Sequence, residues 1–593
     1  MSWRNGWVEQ VSDEAIDAVN QRMAEIGAVA VEGFKSRYPA AVSAWRFRLE
    51  VADQAIEVDL WLPRDFPWGA PRVVLVDPPT FPSIPHVETD GRLCLLPASA
   101  EWSTADPVGF VERQILDAHS LLSDGLLGRN RDDFRAEPQS YWLDDSGWND
   151  IKSLLDREGP SRPIDVWAGK LFTLVGDDPE AMSDWLRHRF PNLKADPHFT
   201  RGLLCWLDHP PLPAELPKSG ADLIELLRLC DLVDQMPEVI GTSPEAVTVV
   251  IGFPTPTGAS YLAITAFPSR SGRKALFPNR DWLAQGFRPA KVPGHLVQLR
   301  FNGRIHLARR SVERCDASWI HGRDTNPEIE DLKTATVAIV GCGSLGSNVA
   351  RLLAQAGVGA FTLIDPERLT AANTGRHLLG SQSVGQAKVN EVGRRLRTDF
   401  PHIYRVNALQ KRWQDAVDAE PRLLDEIDLV VSTVGSWTTE SLLDAWLRER
   451  DQRVVYGWVE PEAAGGQSVM IDHSAGLGCL ACGMSAQGIP NFRVTSWPDP
   501  KLVQEPACGA FFQPYGAIQL ERGSTSVAGL SLDALLDRAA PSTHRAWAGS
   551  QGFLDRAGGG WSAEWVASTN GIPANRELDL AWAVNEACRV CGG

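Results

Sequence analysis

The chain has 593 residues, 44% of them hydrophobic, enough for about three domains with separate cores. Its formal net charge of −17, with no basic run, argues against sequence-independent nucleic-acid binding, so no nucleic-acid partner is expected. The opening Met1-Ser-Trp-Arg-Asn-Gly-Trp7 has no apolar signal core and no apolar run is long enough to cross a bilayer, so no membrane partner is expected.

Residues 1–157 read as an α+β unit. Ala18, Val19, Met23, Ile26 and Val29 recur at helical spacing and predict a helix over 14–34. Strands are predicted over 44–51, 55–61 and 73–76, and the prolines of 62–71 rule out regular structure between the last two. Pro85-His86 then stands eight residues before Cys94, in Gly91-Arg-Leu-Cys94-Leu, and Trp102-Ser103 follows eight residues after it. A lone cysteine between leucines is by default a small buried hydrophobe. The order and spacing around Cys94 resemble the active site of ubiquitin-conjugating enzymes, a His-Pro-Asn tripeptide followed by Gly-x-Ile-Cys-Leu and Trp-Ser. Phe66-Pro67 and Pro71-Arg-Val resemble that family's proline-bearing loop. The resemblance implies that Cys94 carries an acyl group as a thioester, splitting one difficult transfer into two easier ones. His86 departs from the family's asparagine; it is either an N–H donor to an oxyanion or a structural loop residue. No residue matches the family's acceptor-activating acid.

Residues 158–310 read as a mixed α/β linker domain that spaces two active sites. Gly159-Pro-Ser-Arg-Pro163 reads as a connecting stretch. Helices are predicted over 178–190 and 221–233, and strands over 246–252, 260–267 and 294–301. Cys205 and Cys230 sit among apolar neighbours and read as core.

Residues 311–593 form the third unit. Val337, Ile339 and Val340 predict a buried parallel strand, Gly341, Gly343 and Gly346 form a G-x-G-x-x-G turn, and Val349, Leu352 and Leu353 continue as a helix that ends near Gly357. Such glycines let the backbone approach an anion at a helix N-terminus. Asp365 ends the second strand 19 residues past Gly346, where an acid holds a ribose hydroxyl. Asn373, Arg376 and Lys388 follow. A hydride-transfer site has no need of these cations, whereas an adenylating site uses them against the charge that grows on the α-phosphate. Gly-Cys-Gly-Ser-Leu-Gly, Asp365, Asn373, Arg376 and Lys388 together resemble the ThiF-type adenylation domain of ubiquitin-activating and sulfur-carrier-activating enzymes. That resemblance implies a Rossmann-like fold, ATP and Mg2+ as cofactors, and a homodimer. It also offers Arg323 as an arginine that completes the partner subunit's ATP site; the alternative is an arginine at a helix end on the surface. The family closes a later strand with Thr-Asp, whose acid helps hold magnesium; Thr433-Val434 stands here, so that ligand does not carry over.

Ten cysteines in so long a chain do not make a disulfide scaffold and suit a reducing, cytoplasmic setting. Cys479-Leu-Ala-Cys482 and Cys588-Arg-Val-Cys591 have the spacing of a closed structural Zn2+ site, which a redox dithiol would not explain. Cys508, between the pairs, has Gly and Pro neighbours that imply an irregular loop. It is either a thiol able to reach a bound acyl-adenylate or a buried structural cysteine.

The order of domains resembles bacterial fusions of conjugating-like and activating-like units, among them the CBASS antiphage ligases, which attach the C-terminal glycine of a cGAS-like nucleotidyltransferase to target proteins. The implied partners are a protein substrate with a C-terminal glycine, either such a nucleotidyltransferase or a ubiquitin-like protein, and lysine-bearing targets. The implied cycle is adenylation, capture by Cys508, transfer to Cys94 and ligation to an amine. Two rivals are a sulfur-carrier adenylyltransferase whose first domain only binds a partner, and a nucleotide-binding scaffold without chemistry.

Overall fold

The computed structural model describes residues 6–80, 82–97, 99–142, 151–155, 158–190, 196–243, 246–268, 305–499, 501–504, 511–582 and 584–592, with 293, 296 and 299. Three large sheets organise them.

The first sheet is antiparallel in the order Val29–Ala30, Ala41–Val51, Gln54–Pro63, Arg72–Leu75. Ala52 and Asp53 take left-handed φ of 46° and 63° and close a two-residue hairpin turn, whose twist suits the flanking strands. The helices Gly6–Glu25 and Pro107–Leu126 pack on this sheet and bury Val19, Met23, Leu60, Leu62, Val111 and Leu122 with it. Each such side chain contributes about 1.5–3 kcal/mol by leaving water. Asp106 caps the second helix by accepting from the Gly109 N–H, and Pro107 opens it. The first helix starts and stops earlier than the predicted 14–34. Gly27, at φ 79°, turns the chain out of it, and Val29, 68% exposed, pairs with Arg46 on the sheet edge instead.

The second sheet has eight strands, in the order Ile305–Arg310, Gly258–Pro268, Val247–Thr255, Thr200–Trp206, Arg162–Ala168, Thr173–Gly176, Ile151–Ser153, Val312–Arg314. It is wider than the expected 158–310, because Ile151–Ser153 and Val312–Arg314 join it as a parallel pair at one edge. Arg162 and Pro163, expected in a connecting stretch, begin a strand. The helices Pro179–Arg189 and Gly220–Leu229 agree with expectation, the latter closing its first turn with a Ser219–Asp222 capping box. The strand predicted over 294–301 falls outside the described residues, apart from 296 and 299.

The third sheet orders its parallel strands Arg405–Leu409, Ala360–Ile364, Thr336–Val340, Leu429–Ser432, Arg453–Val459, then adds antiparallel Gly465–Asp472, Thr543–Ala548 and Glu577–Ala581. All five residues of Thr336–Val340 are buried, as a strand with parallel neighbours on both sides requires. The order reverses between Thr336–Val340 and Leu429–Ser432, and a crevice for ligand opens at the carboxyl ends of strands where it does so. Arg189 of the second unit donates to the Phe400 carbonyl across 2.9 Å and ties the two units together. Among the described residues, no helix is long and apolar enough to cross a membrane.

Candidate functional site

The glycine turn sits at that crevice. Gly341 has φ 89°, and a side chain on Gly346 would meet the Gly341 carbonyl oxygen at 2.0 Å, so neither position admits another residue without rearrangement. Gly343 differs: a methyl there would meet nothing within 4 Å, leaving open space over the backbone. Gly343 also precedes the helix Ser344–Ala356, whose first amides have no capping side chain. Unclaimed N–H groups, open space and a positive helix end together fit a phosphate.

The acid and the cations of the next segment close around this turn. Asp365 accepts from the Cys342 N–H across 2.8 Å and the Glu367 N–H across 2.7 Å, while burial pushes its carboxyl up. Lys388, nearly buried, opens the helix Lys388–Asp399 and pairs with Glu367. Arg376 stacks over the Tyr515 ring at 5.2 Å, and among the described residues its buried Nε has no hydrogen-bond partner. A guanidinium N–H is a strong donor to phosphate oxygens. Asn373 accepts from the Thr370 backbone and hydroxyl, both at 3.0 Å, and so shapes the turn that presents Arg376.

Arg323 is not brought to this crevice. It lies in a cleft of about 540 Å³ with Gln355 and Ala356, at the far end of the Ser344–Ala356 helix. That helix puts about 20 Å between Arg323 and the chain's own glycine turn.

In the first unit Cys94 is exposed, and its Sγ stands 3.5 Å from Oε1 of Glu88. Partial burial, and then the Glu88 carboxylate, push the thiol above its ordinary value. The Cys94 N–H donates to the His86 carbonyl across 2.8 Å, and Trp102 donates from Nε1 to the Pro67 carbonyl across 2.9 Å, so the expected neighbours do assemble. The His86 ring meets two acids. Its Nε2 lies 3.2 Å from Asp133 and its Nδ1 3.7 Å from Glu137, while its backbone, at φ 60°, donates to the Tyr141 hydroxyl across 2.9 Å. Nε2 is thus within hydrogen-bond reach of Asp133, and Nδ1 faces Glu137 at ion-pair range.

Two family models match: residues 26–147 match prokaryotic E2 family B, and residues 322–547 match the ThiF family. The chain joins a prokaryotic E2-like domain to a ThiF domain. Among relatives, it is 24% identical over 505 residues to an uncharacterized protein, y4qC, of Sinorhizobium fredii, spanning 80% of this chain and 81% of the relative. It is 22% identical over 501 residues to the ATP-dependent ubiquitin transferase-like protein Cap2 of Pseudomonas aeruginosa, spanning 81% and 86%. Among solved structures, E. coli MccB with ATP aligns at 16% identity and a TM-score of 0.30, over 45% of this chain and 68% of that one.

In the ThiF domain the four expected metal ligands do meet. Cys479 Sγ lies 3.9 Å from Cys482 and 3.6 Å from Cys588, and Cys482 lies 3.4 Å from Cys591. Tetrahedral zinc with Zn–S of about 2.3 Å sets sulfurs roughly 3.8 Å apart, so the donor set fits zinc. Trp582 donates to the Cys479 carbonyl across 3.0 Å and Arg448 to the Cys591 carbonyl across 3.1 Å, fixing the loops from behind. Magnesium fares differently. The carboxylate that reaches the Thr433–Val434 turn is Glu440, and it accepts from the Ser432 hydroxyl at 2.8 Å and the Val434 N–H at 3.2 Å. Burial pushes Glu440 up to about 7, a group held for the turn and poorly suited to a cation. The residues of this turn therefore do not fit the family's magnesium site.

Cys508 lies outside the described residues. The strands before and after it, Val503–Gln504 and Phe511–Phe512, pair with each other, and Tyr515 beyond them touches Arg376. Sequence reasoning missed Glu88, His377 and Tyr515. His377 donates to the Cys342 carbonyl, yet as a single buried histidine with no motif of its own it carried no signal.

Proposed function

We propose that the chain is an ATP-dependent protein-conjugating enzyme that activates the C-terminal glycine of a protein substrate and ligates it to target amines. One observation carries the reading: an open phosphate cradle at Gly343, beside an Arg376 Nε with no partner among the described residues, shares a chain with an exposed Cys94 in an E2-like domain. ATP would lie with its phosphates over Gly343 and the start of the Ser344–Ala356 helix, and its ribose near Asp365. Arg376 and Lys388 then face the charge that builds as the substrate carboxylate attacks the α-phosphate and pyrophosphate leaves. The acyl group passes from the adenylate to the Cys508 thiol, releasing AMP, then by thiol exchange to Cys94, and finally to a lysine amine. The four-cysteine cluster holds zinc and fixes the C-terminal turns of the ThiF domain.

The ThiF domain acts as a homodimer in this reading, with Arg323 serving the partner's site, since its own glycine turn is out of reach. The substrate is a cGAS-like nucleotidyltransferase in antiphage defence, a ubiquitin-like protein being the competing substrate, and the setting is cytoplasmic. The similarity to an ATP-dependent ubiquitin transferase-like protein over most of both chains supports a conjugating role over sulfur-carrier activation. ATP–pyrophosphate exchange with each candidate substrate tests the reading. Exchange followed by a reducible adduct on Cys94 is expected; exchange with no adduct there would leave a carrier-activating enzyme.

A further inference from the structure

The middle unit holds a cleft of about 780 Å³ that the proposed reaction does not use, and Ser161, Trp206 and Cys230 stand in its wall. Cys230 ends the helix Gly220–Leu229 and is half-buried. Behind it Cys205, on the strand Thr200–Trp206, is fully buried, and the two side chains pack in one core cluster. Most cysteines so placed are inert, small hydrophobes. Two features set this pair apart. The thiols are hydrogen-bonded to each other, with Cys205 as donor. The Ser161 hydroxyl oxygen accepts from the Trp206 N–H across 2.9 Å, which leaves its own hydrogen to donate to the Cys230 sulfur. Both donors favour a thiolate. The Cys205 thiol first, against partial burial, and then Ser161 lower Cys230 to about 7, while the same contact and burial push Cys205 up.

We propose that Cys230 and Cys205 form an oxidation site for a small neutral peroxide, in which Cys230 reacts through the cleft and Cys205 closes a disulfide with it. This goes beyond the proposed function and uses neither Cys94 nor Cys508. The Cys230 thiolate attacks one peroxide oxygen. An S–O bond forms, the O–O bond breaks, and the departing hydroxide takes the proton that Cys230 released, giving water. The Cys205 sulfur then attacks the sulfenic sulfur. An S–S bond forms, the S–O bond breaks, and hydroxide leaves with the Cys205 proton as a second water. Two electrons pass from the sulfurs to the peroxide. The walls select the oxidant by charge: Asp208 and Asp231 are exposed there, and among the described residues lining the cleft none is lysine or arginine. An anionic oxidant such as oxidised glutathione is therefore repelled, whereas hydrogen peroxide is not.

The test treats the folded full chain at neutral pH with hydrogen peroxide or with oxidised glutathione, blocks the remaining thiols and maps the cysteine peptides by mass spectrometry. A Cys205–Cys230 cross-linked peptide, reversed by dithiothreitol, is expected, forming about tenfold or more faster with peroxide than with oxidised glutathione. Cys205→Ala, which keeps a small side chain in the core, should stop at a Cys230 sulfenic acid that dimedone labels. Cys230→Ala should leave Cys205 unmodified. No cross-link in the folded unmodified chain, or one that forms only in urea, overturns the proposal and leaves two core cysteines. Equal rates with the two oxidants overturn it as well, as does peroxide labelling of Cys205 in the folded Cys230→Ala chain. None of these outcomes touches pyrophosphate exchange or the Cys94 adduct, so this inference and the proposed function fail separately.

Discussion

His377 donates from Nε2 to the Cys342 carbonyl across 2.8 Å, and its Nδ1 accepts from the Leu379 N–H across 3.0 Å. One imidazole thus pins the glycine turn to the segment that carries Arg376. Acceptance at Nδ1 requires the neutral ring, and burial lowers its pKa to about 4. The unfolded chain takes up a proton below about 6.5, whereas the folded chain resists until about 4. The stabilisation from His377 is therefore complete above about 6.5 and declines as pH falls toward 4, by on the order of 3 kcal/mol. Melting curves of the chain and of His377→Gln between pH 7.5 and 4.5 check this. The variant's Tm should fall less steeply with acid, and parallel slopes would refute it.

Arg376 and Lys388 each supply a charge-assisted contact to phosphate in the proposed reaction. Replacing either with Ala should cost about 1.5–3 kcal/mol, roughly ten- to hundredfold in pyrophosphate exchange. The Lys388 variant frees an exposed Glu367 but also removes the cation that opposes the raised carboxyl of buried Asp365, so a lowered Tm is expected beside the loss of exchange. Full exchange activity in either variant would remove that residue from the site.

Zinc should be structural. Site formation supplies part of the folding free energy, so chelation is expected to unfold the C-terminal turns around Trp582 and lower the ThiF domain's Tm. Elemental analysis should give about one zinc per chain by the four-thiolate stoichiometry. Protein that is metal-free and equally stable would overturn the assignment.

The thiols should act in order. Cys508→Ala is expected to keep adenylate formation and lose thioester at both positions. Cys94→Ala should instead trap the acyl group at Cys508 and stop transfer to amines. Non-reducing gels with ATP and substrate distinguish them; Cys94 loading in the Cys508→Ala chain would show direct transfer from the adenylate.

Glu88 should tune Cys94. A carboxylate 3.5 Å from the sulfur disfavours the thiolate, so Glu88→Gln should move the pH profile of Cys94 alkylation by iodoacetamide to lower pH. An unmoved midpoint would leave partial burial, with Glu137, as the cause of the raised thiol.

Local chemistry made much of this site legible. The strand, glycine turn, helix and acid from Thr336 to Asp365 follow from apolar period and glycine placement, and the structure reproduces each element. The paired C-x-x-C motifs predicted a cluster whose members stand 109 residues apart, because each pair already fixes half a tetrahedron. Contacts made across the fold were not legible. The partners of His86 come from Asp133 and Glu137, which fold back over the Cys94 loop from beyond the Pro107–Leu126 helix. Gln114 looks like one polar residue on a helix until its neighbours show that its face is buried. The first helix was misplaced for a different reason: helical spacing continued through Ile26 and Val29, while Gly27 and pairing at the sheet edge decided otherwise.

The middle sheet was expected to hold the two active sites apart, yet Val312 pairs beside Ile151 in parallel. Adjacent strands lie about 4.8 Å apart, so the chain leaves the E2-like domain and enters the ThiF domain at one shared edge. The 160 residues between Ile151 and Val312 thus form a side branch off a short stem. Growth or trimming within that branch, as at the helix Gly220–Leu229, would change its bulk without lengthening the stem between Ile151 and Val312. Changes in the middle domain can therefore accumulate without altering how the chain passes from the E2-like domain to the ThiF domain.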